Sequence, residues 1–326
     1  IDLRGSAYRC DAAGCAALAK PASGTEPGAA SPDGSRAAFV RDWNLWLRDL
    51  ASGKETQLTF DGKPDYGYAT DNAGWKHTDN AILVWSPDGK QIATFQQDQR
   101  KTSTMTLVAT NVGVPKAEQW KYPFVGDKDV TMIERVIIDL SAPKPKTIRL
   151  QLPPDQHRST CSDDIACSDG WEDVQWAKDG KTLAFVSTDR GHKSATLRVA
   201  DAATGKVRDV YAETVKTQYQ SAPALDSVNW RYLPESNEFL WFSQKSDWGH
   251  LYLHDLATGK EKRQITSGNW NVAKVARIDM ASRTLWFEGV GREAGRDPYF
   301  VHYYKVGLDA GGVQLLTPEN ANHAIT

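Results

Sequence analysis

The stretch that decides the fold is residues 238–268, which reads EFLWFS (238–243), QKSDWG (244–249), HLYLHD (250–255), LATGK (256–260) and EKRQITSG (261–268). Apolar and polar residues alternate in the first, third and fifth segments, which is the period of a half-buried β-strand. The two segments between them contain Gly249 and Gly259, and we expect both glycines to supply the positive φ of a tight turn. A three-stranded meander of this size cannot bury its own faces, so it needs copies of itself alongside.

Such copies recur along the chain at a spacing of about 50 residues, and each opens on a turn similar to Ser-Pro-Asp-Gly. The predicted turns are 31–34, 85–89, 176–180 and 233–236, and the further predicted strands are 37–40, 44–49, 55–59, 91–95, 104–108, 136–140, 147–152, 182–186, 196–201, 206–210, 284–289, 300–306 and 313–317. No long segment shows the 3.6-residue period, so we expect little helix. The repeat predicts an all-β fold, a β-propeller of roughly five to six blades. A β-sandwich is the alternative and fits the repeat poorly.

Residues 1–326 are therefore expected to form one propeller region. Two stretches depart from the repeat: an inserted segment near 62–84 and a longer excursion near 110–170. Inserts of this kind belong to loops, where binding residues concentrate.

Composition excludes several classes of partner. The chain is 40% hydrophobic and 25% charged, with a formal net charge of -2, which is typical of a soluble globular protein. A sequence pI of about 6.4 argues against nucleic acid or an anionic membrane surface as the main partner, because both require a basic face. No apolar run approaches the length of a membrane span.

The four cysteines form two close pairs, Cys10 with Cys15 and Cys161 with Cys167. Each pair could close a short loop, which predicts two local disulfides and an oxidising compartment, either the periplasm or the outside of the cell. The alternative is four free thiols in a cytosolic protein. A zinc site is less favoured, because neither pair has C-x-x-C spacing.

The catalytic motifs of a serine hydrolase do not occur in residues 1–326. No G-x-S-x-G nucleophile elbow occurs, and no histidine has an evident Asp and Ser partner. We therefore assign no catalytic residue, no metal and no cofactor. The histidines are expected to be surface or strand residues: His77, His157, His192, His250, His254, His302 and His323.

Two of the repeated units, 85–90 and 249–253, resemble the N-terminal propeller of dipeptidyl peptidase IV, in the prolyl oligopeptidase family of serine peptidases. Further likeness lies in 66–75, in 95–98, and in 248–250 taken with 266–270. The resemblance runs in order along nearly the whole chain and is closest to the bacterial members. It implies an eight-bladed propeller followed by an α/β-hydrolase domain, with this chain being part of a longer protein.

The resemblance also implies a substrate site on the insert, where the family holds the free amino terminus of a peptide with two glutamates. This chain has Ala73-Gly74-Trp75 at that place, which puts the specificity for free amino termini in question. Asp71, with Asn72 beside it, could supply a carboxylate, and Trp75 a cation–π face. The alternative is that residues 70–72 are a loop cap with a solvated carboxylate.

Three tyrosines complete the predicted substrate site. Tyr66 and Tyr68 are expected to line the same cavity, or else to pack the insert. Tyr219 lies where the family lines its far subsites, and the alternative is an exposed loop aromatic. The charged stretch 291–297 is expected to be a solvated turn, or else a homodimer or domain contact through Arg292 and Arg296.

The resemblance, together with the paired cysteines, implies the propeller of a secreted serine exopeptidase that removes Xaa-Pro-like dipeptides from peptide N-termini. The propeller would select peptides, and the hydrolase domain of the same polypeptide would cleave them. The alternative is a stand-alone periplasmic propeller that binds a protein or a peptide, because one fold serves many functions.

Overall fold

The computed structural model describes residues 2–3, 6–11, 14–17, 28–70, 81–110, 112–156, 171, 173–221 and 228–324, and for the first three ranges it describes backbone strands only. Every regular element in these ranges is a β-strand, apart from one 3-10 turn at Pro234–Ser236. The prediction of an all-β fold with little helix is confirmed.

The chain begins with a small antiparallel sheet and continues into five larger ones, which we call blades 1 to 5. The small sheet consists of β1 (Asp2–Leu3), β2 (Ser6–Asp11) and β3 (Gly14–Ala17). Blade 1 consists of β4 (Ala29–Ala30), β5 (Arg36–Arg41), β6 (Asn44–Asp49) and β7 (Glu55–Gln57).

Blade 2 is the most elaborate sheet. Its strands are β8 (Tyr66–Tyr68), β9 (Val84–Trp85), β10 (Gln91–Asp98), β13 (Met132–Asp139), β14 (Lys146–Arg149) and β15 (Asp155–Gln156). Its first strand is split in two, because β8 and β9 pair with different parts of β10. Between β10 and β13 the chain forms a separate two-stranded arm, which consists of β11 (Thr104–Ala109) and β12 (Lys116–Lys121).

Blades 3 to 5 are four-stranded meanders. Blade 3 contains β16 (Val174–Trp176), β17 (Thr182–Thr188), β18 (Ser194–Asp201) and β19 (Val207–Thr214). Blade 4 contains β20 (Arg231–Leu233), β21 (Glu238–Ser243), β22 (His250–Asp255) and β23 (Glu261–Gln264). Blade 5 contains β24 (Asn271–Asp279), β25 (Thr284–Val290), β26 (Val301–Gly307) and β27 (Gln314–Leu315).

Each blade buries its faces against the blades next to it in the chain. Four apolar clusters join blade 1 to 2, 2 to 3, 3 to 4 and 4 to 5. Large buried side chains at these interfaces include Phe95, Phe185, Phe239 and Phe287. Meanders packed face to face in chain order are the architecture of a β-propeller, so the predicted fold is confirmed.

Side chains on the first strand of one blade also bond to the backbone of the next. Gln175 in blade 3 donates to the Trp230 carbonyl at 3.0 Å and accepts from the Tyr232 amide at 2.8 Å. Asn229, just before β20, makes the same pair of bonds to Ala273 and Val275 of blade 5, at 3.1 and 2.8 Å. The first strands therefore lie side by side, as the innermost strands of a propeller do.

One predicted strand belongs elsewhere in the fold. Residues 104–108 were expected to follow 91–95 as the next strand of the repeat, but they form β11 of the arm, and β10 pairs with β13 over eight residues. The residues of β11 are mostly exposed, whereas five of the eight residues of β13 are buried, Ile133 and Ile137 among them. The strand with the larger apolar face occupies the blade.

Gly249 also differs from expectation. It does not take a positive φ, and the left-handed residue of that turn is Asp247, at φ 69°. Glycine is required at 249 for space, because a Cβ there would lie 2.5 Å from Cζ of Phe242. Gly259 does take the predicted conformation, at φ 71°.

Candidate functional site

The two ends of the blades differ in the length of their connections. At one end, tight turns such as 32–35 and 50–54 join the first strand to the second and the third to the fourth. At the other, the chain passes from second to third strand and from blade to blade, and the arm is one of these connections. We call it the long-connection end. Loops carried by a rigid scaffold are where binding residues concentrate, so this end is where a site is expected.

A polar network lies at the long-connection end, between blades 1 and 2, with Arg149 at its centre. The Arg149 guanidinium donates to the Tyr68 hydroxyl at 3.0 Å and to Gln96 Oε1 at 2.6 Å. It also pairs with Asp61 at 3.2 Å and with Glu134 at 2.9 Å. Tyr68 in turn donates to Asp61 at 2.8 Å. These side chains lie close together because Tyr68, Gln96 and Glu134 are opposite one another in the register of three adjacent strands.

Tyr66 forms the outer part of this network. Its hydroxyl donates to Glu134 Oε1 at 3.3 Å, and the Arg100 guanidinium lies 4.2 Å from the centre of its ring. Arg100 makes a two-pronged ion pair with Asp98, at 2.9 and 2.6 Å. Both prongs of the guanidinium are thus engaged, and its face covers the phenol ring.

The two phenols stay protonated in this setting. Burial raises the pKa of Tyr68, and the hydrogen bond to Asp61 raises it further. Burial also raises the pKa of Tyr66, with the Glu134 charge adding to the effect. Both side chains therefore act as neutral hydrogen-bonding groups at any physiological pH.

A cavity of about 430 Å³ is lined chiefly by charged side chains, among them Arg100, whose guanidinium covers the Tyr66 ring. They are Asp98, Arg100, Lys101, Lys128 and Asp129. A cavity that holds both signs of charge suits a ligand with separate charged and polar groups, such as a peptide end.

The structure brings Tyr66 and Tyr68 together and places Tyr219 elsewhere. Tyr219 is buried between blades 3 and 4, where its ring stacks on Trp241 at 5.9 Å. Asp71, Asn72 and Trp75 lie outside the described residues, as do Ala73 and Gly74. Thr70, which directly precedes them, donates to Gln97 Oε1 at 2.9 Å.

Sequence reasoning missed the centre of the network: Asp61, Gln96, Glu134 and Arg149. One signal could have pointed to one of them. Glu134 is a charged residue in β13, whose other residues are mostly apolar, and such a residue usually has a specific partner.

The cysteines and histidines are placed only in part. Cys10 and Cys15 are opposite each other in the register of β2 and β3, and Cys161 and Cys167 lie outside the described residues. His250, His254 and His302 are buried strand residues. In the ranges that the structure describes, no three His, Cys, Asp or Glu side chains are grouped to hold a metal ion. No described helix has the length and apolarity to cross a membrane.

Comparison with known proteins shows which family the chain resembles. The family model described as the dipeptidyl peptidase IV (DPP IV) N-terminal region matches residues 5–326. Dipeptidyl peptidase 4 from Arthroderma otae is 23% identical over 306 residues, which covers 88% of this chain and 36% of the relative. Dipeptidyl peptidase 4 from Trichophyton rubrum is 22% identical with the same coverage.

The solved structures agree on the fold. The crystal structure of Porphyromonas gingivalis dipeptidyl peptidase 4 superposes with a TM-score of 0.68 at 20% identity, covering 90% of this chain and 39% of that one. The chain thus spans little more than a third of the length of the relatives it matches.

Proposed function

Because the chain belongs to the family of dipeptidyl peptidase IV N-terminal regions, we propose that it is the substrate-selecting propeller of a secreted serine exopeptidase. That enzyme removes Xaa-Pro-like dipeptides from peptide N-termini. Its nucleophile lies in an α/β-hydrolase domain elsewhere in the same polypeptide, and the propeller admits and orients the peptide. The match to the family over residues 5–326 carries this proposal.

The geometry of the long-connection end supports a role in holding a peptide terminus. An ammonium that leaves water needs a carboxylate partner, and Glu134, Asp61 and Asp98 lie around the two phenols. The phenol oxygens can also bond to peptide N–H or carbonyl groups. Asp71, one residue beyond Thr70, is proposed to contribute a further carboxylate, with Asn72 and Trp75 beside it.

Peptide binding to carboxylate variants of the full-length protein tests the proposal. Asp71→Ala and Glu134→Gln should weaken binding of peptides with a free amino terminus about ten-fold, and should leave N-acetylated peptides unaffected. Glu235→Gln, at the tight-turn end, is the matched control and should bind both peptides as the wild type does. Equal affinity of the wild-type protein for free and acetylated peptides would exclude a role of the propeller in recognising the free amino terminus.

The second candidate is a propeller that works only as a binding module. The intact mass of the protein from its native source separates the two. A mass nearly three times the 36.1 kDa of this chain, as its share of the relatives' length implies, with a G-x-S-x-G elbow in the added part, supports the peptidase. A mass equal to that of this chain supports the binding module.

We place the protein in the periplasm or outside the cell on the strength of its cysteine pairs. The opposed register positions of Cys10 and Cys15 are compatible with a bridge across one hairpin. Alkylation of the purified protein without reductant should label none of the four thiols. Full labelling would contradict both the disulfides and the oxidising compartment.

A further inference from the structure

The cavity of about 430 Å³ lies between blade 2 and the two stretches that connect this blade to the arm. We call these stretches, residues 99–103 and 122–131, the arm base. Blade 2 contributes Asp98 to the lining of the cavity, and the arm base contributes the other four charged side chains, Lys101 and Lys128 among them. Most of the charge in the cavity is therefore carried by the arm base.

The backbone of the arm base is held in place at two points. The hydroxyls of Thr102 and Thr131 bond to each other at 3.2 Å, and both residues are 3% exposed. Arg190, in the loop between the second and third strands of blade 3, donates to the carbonyls of Phe124 and Asp127 at 2.6 and 2.8 Å. The two lysines of the cavity thus extend from a fixed backbone, which is what a selective binding site requires.

The charges of the cavity do not cancel. Three of the five charged side chains are positive and two are negative, so the lining has a net charge of +1. Arg100 and Asp98 neutralise each other through their two-pronged ion pair, which leaves Lys101, Lys128 and Asp129. Within the described residues, neither lysine forms an ion pair. Two ammonium groups on one wall of a cleft attract a negative group of a ligand, because the cleft concentrates their field.

The same lining limits how much negative charge the ligand can carry. Asp129 lies in the cavity with the two lysines, and it repels a group with two or more negative charges, such as a phosphate. A carboxylate carries a single charge, and its two oxygens can each accept from one ammonium. The cavity therefore selects a carboxylate.

We propose that Lys101 and Lys128 form a carboxylate site that makes the peptidase prefer peptides with a negative charge beyond the Xaa-Pro dipeptide. This inference rests on the proposed function, because it assumes that the ligand is a peptide. The carboxylate belongs either to an Asp or Glu side chain or to the free C-terminus of a short peptide, and both sources present the same chemistry.

The arrangement of charge around Tyr66 agrees with the direction of a bound peptide. The Tyr66 hydroxyl bonds to Glu134, and its ring lies under Arg100, which lines the cavity. Tyr66 thus lies between a carboxylate that suits the positive amino terminus and a positive cavity that suits a carboxylate farther along the same peptide.

Matched peptides and the full-length protein test the proposal. One series has an amidated C-terminus and carries Glu or Gln at each successive position after the proline. A second series contains no acidic side chain and ends in a free or an amidated C-terminus at increasing length. At one position of the first series, or at one length of the second, the charged peptide should have a KM about five-fold below that of its neutral partner. Added salt should reduce this ratio, because exposed charges are screened.

Substitution of the lysines connects that preference to the cavity. Lys101→Met and Lys128→Met should each reduce the ratio of the two KM values to less than two-fold, because one ammonium alone holds an exposed carboxylate weakly. Lys101→Arg keeps the charge and should keep most of the preference. Lys144→Met is the matched control, because Lys144 is an exposed residue in the tight turn between β13 and β14, at the opposite end of the same blade. It should show the wild-type ratio.

Two results would overturn the carboxylate site. One is a wild-type protein whose KM values agree within two-fold for every matched pair of peptides. The other is a preference that persists in the variant with both lysines changed to methionine. A wild-type protein that neither cleaves nor binds any Xaa-Pro peptide would instead contradict the proposed function on which the site depends.

Discussion

Gly249 shows how a single residue can be fixed by the space around it. A Cβ at this position would lie 2.5 Å from Cζ and 2.9 Å from Cε2 of Phe242, a fully buried ring. We expect Gly249→Ala to lower the free energy of unfolding by about 2 kcal/mol, because the ring would have to leave its rotamer. Urea unfolding measures this. Gly312→Ala is the control, because a Cβ there meets no atom within 4 Å, and equal losses in the two variants would refute the steric account.

Two buried histidines make stability depend on pH. Burial lowers the pKa of His250 and of His254 below the ordinary value of 6.5. The unfolded chain therefore binds more protons than the folded protein once the pH falls below 6.5. The contribution of these two histidines to stability should be constant above about pH 7.5 and should decline below pH 6.5, by up to about 1.4 kcal/mol per pH unit for each histidine.

His254→Phe should reduce that decline by about half. The ring of His254 stacks on Phe239 at 4.8 Å, so phenylalanine keeps the packing and removes the titrating group. Thermal unfolding between pH 7.5 and pH 5 measures the slope. An unchanged slope in the variant would mean that folding does not lower the pKa of His254.

At the scale of elements, Glu213 connects blade 3 to blade 4. It is 8% exposed and accepts from Trp241 Nε1 and from Ser243 Oγ, each at 2.6 Å. We expect Glu213→Ala to lower the free energy of unfolding by about 3 kcal/mol, because two buried donors lose their acceptor. Glu118→Ala, an exposed site on the arm, is the control in the same urea titration. A loss below about 0.5 kcal/mol at Glu213 would mean that water replaces the carboxylate.

Some strands could be predicted from the sequence. Others could not, and the reasons are physical. The strands at 238–243 and 250–255 have the predicted bounds, because alternation and turn residues agree there. β24 was missed because it bulges twice, between Val272 and Lys274 and between Val275 and Arg277. Each bulge adds a residue, so its buried positions recur every third residue and the period of two disappears.

Less of the candidate site than of the fold could be predicted from the sequence. Tyr66 and Tyr68 could be identified because they lie together on one short strand at the insert. Their partner Arg149 is 81 residues from Tyr68, and only the register of four strands, β8, β10, β13 and β14, brings it near. Pairing across a sheet depends on strand order, which local periodicity does not contain. The burial of Tyr219 against Trp241 could not be predicted for the same reason.

At the scale of the whole molecule, the arm is the surface most suited to a second copy of the chain. Within the described residues its two strands pair only with each other, and Leu107, Val108, Val112 and Val114 are more than half exposed. Free strand edges with apolar side chains favour strand-to-strand association. The alternative dimer contact was predicted at Arg292 and Arg296. Both are already bonded within the chain, because Arg292 pairs with Glu293 and Arg296 donates to the Pro318 carbonyl.

Sedimentation velocity tests this assignment. The wild type should sediment as a dimer at micromolar concentration, and Leu107→Lys with Val112→Lys should shift it to the monomer, because charges at a free edge oppose pairing. Phe60→Lys, at an exposed apolar residue of blade 1, should remain dimeric. A monomeric wild type would rule out the arm as a dimer contact.

The joining of each blade to the next has a consequence for how the protein is made. Because every apolar cluster is shared between consecutive blades, no blade can bury both faces until the following one has left the ribosome. At about 5–20 residues per second, each blade waits several seconds with one face uncovered. The nascent chain thus carries one unfinished sheet at its growing end throughout translation, and that sheet is where a chaperone would be expected to bind.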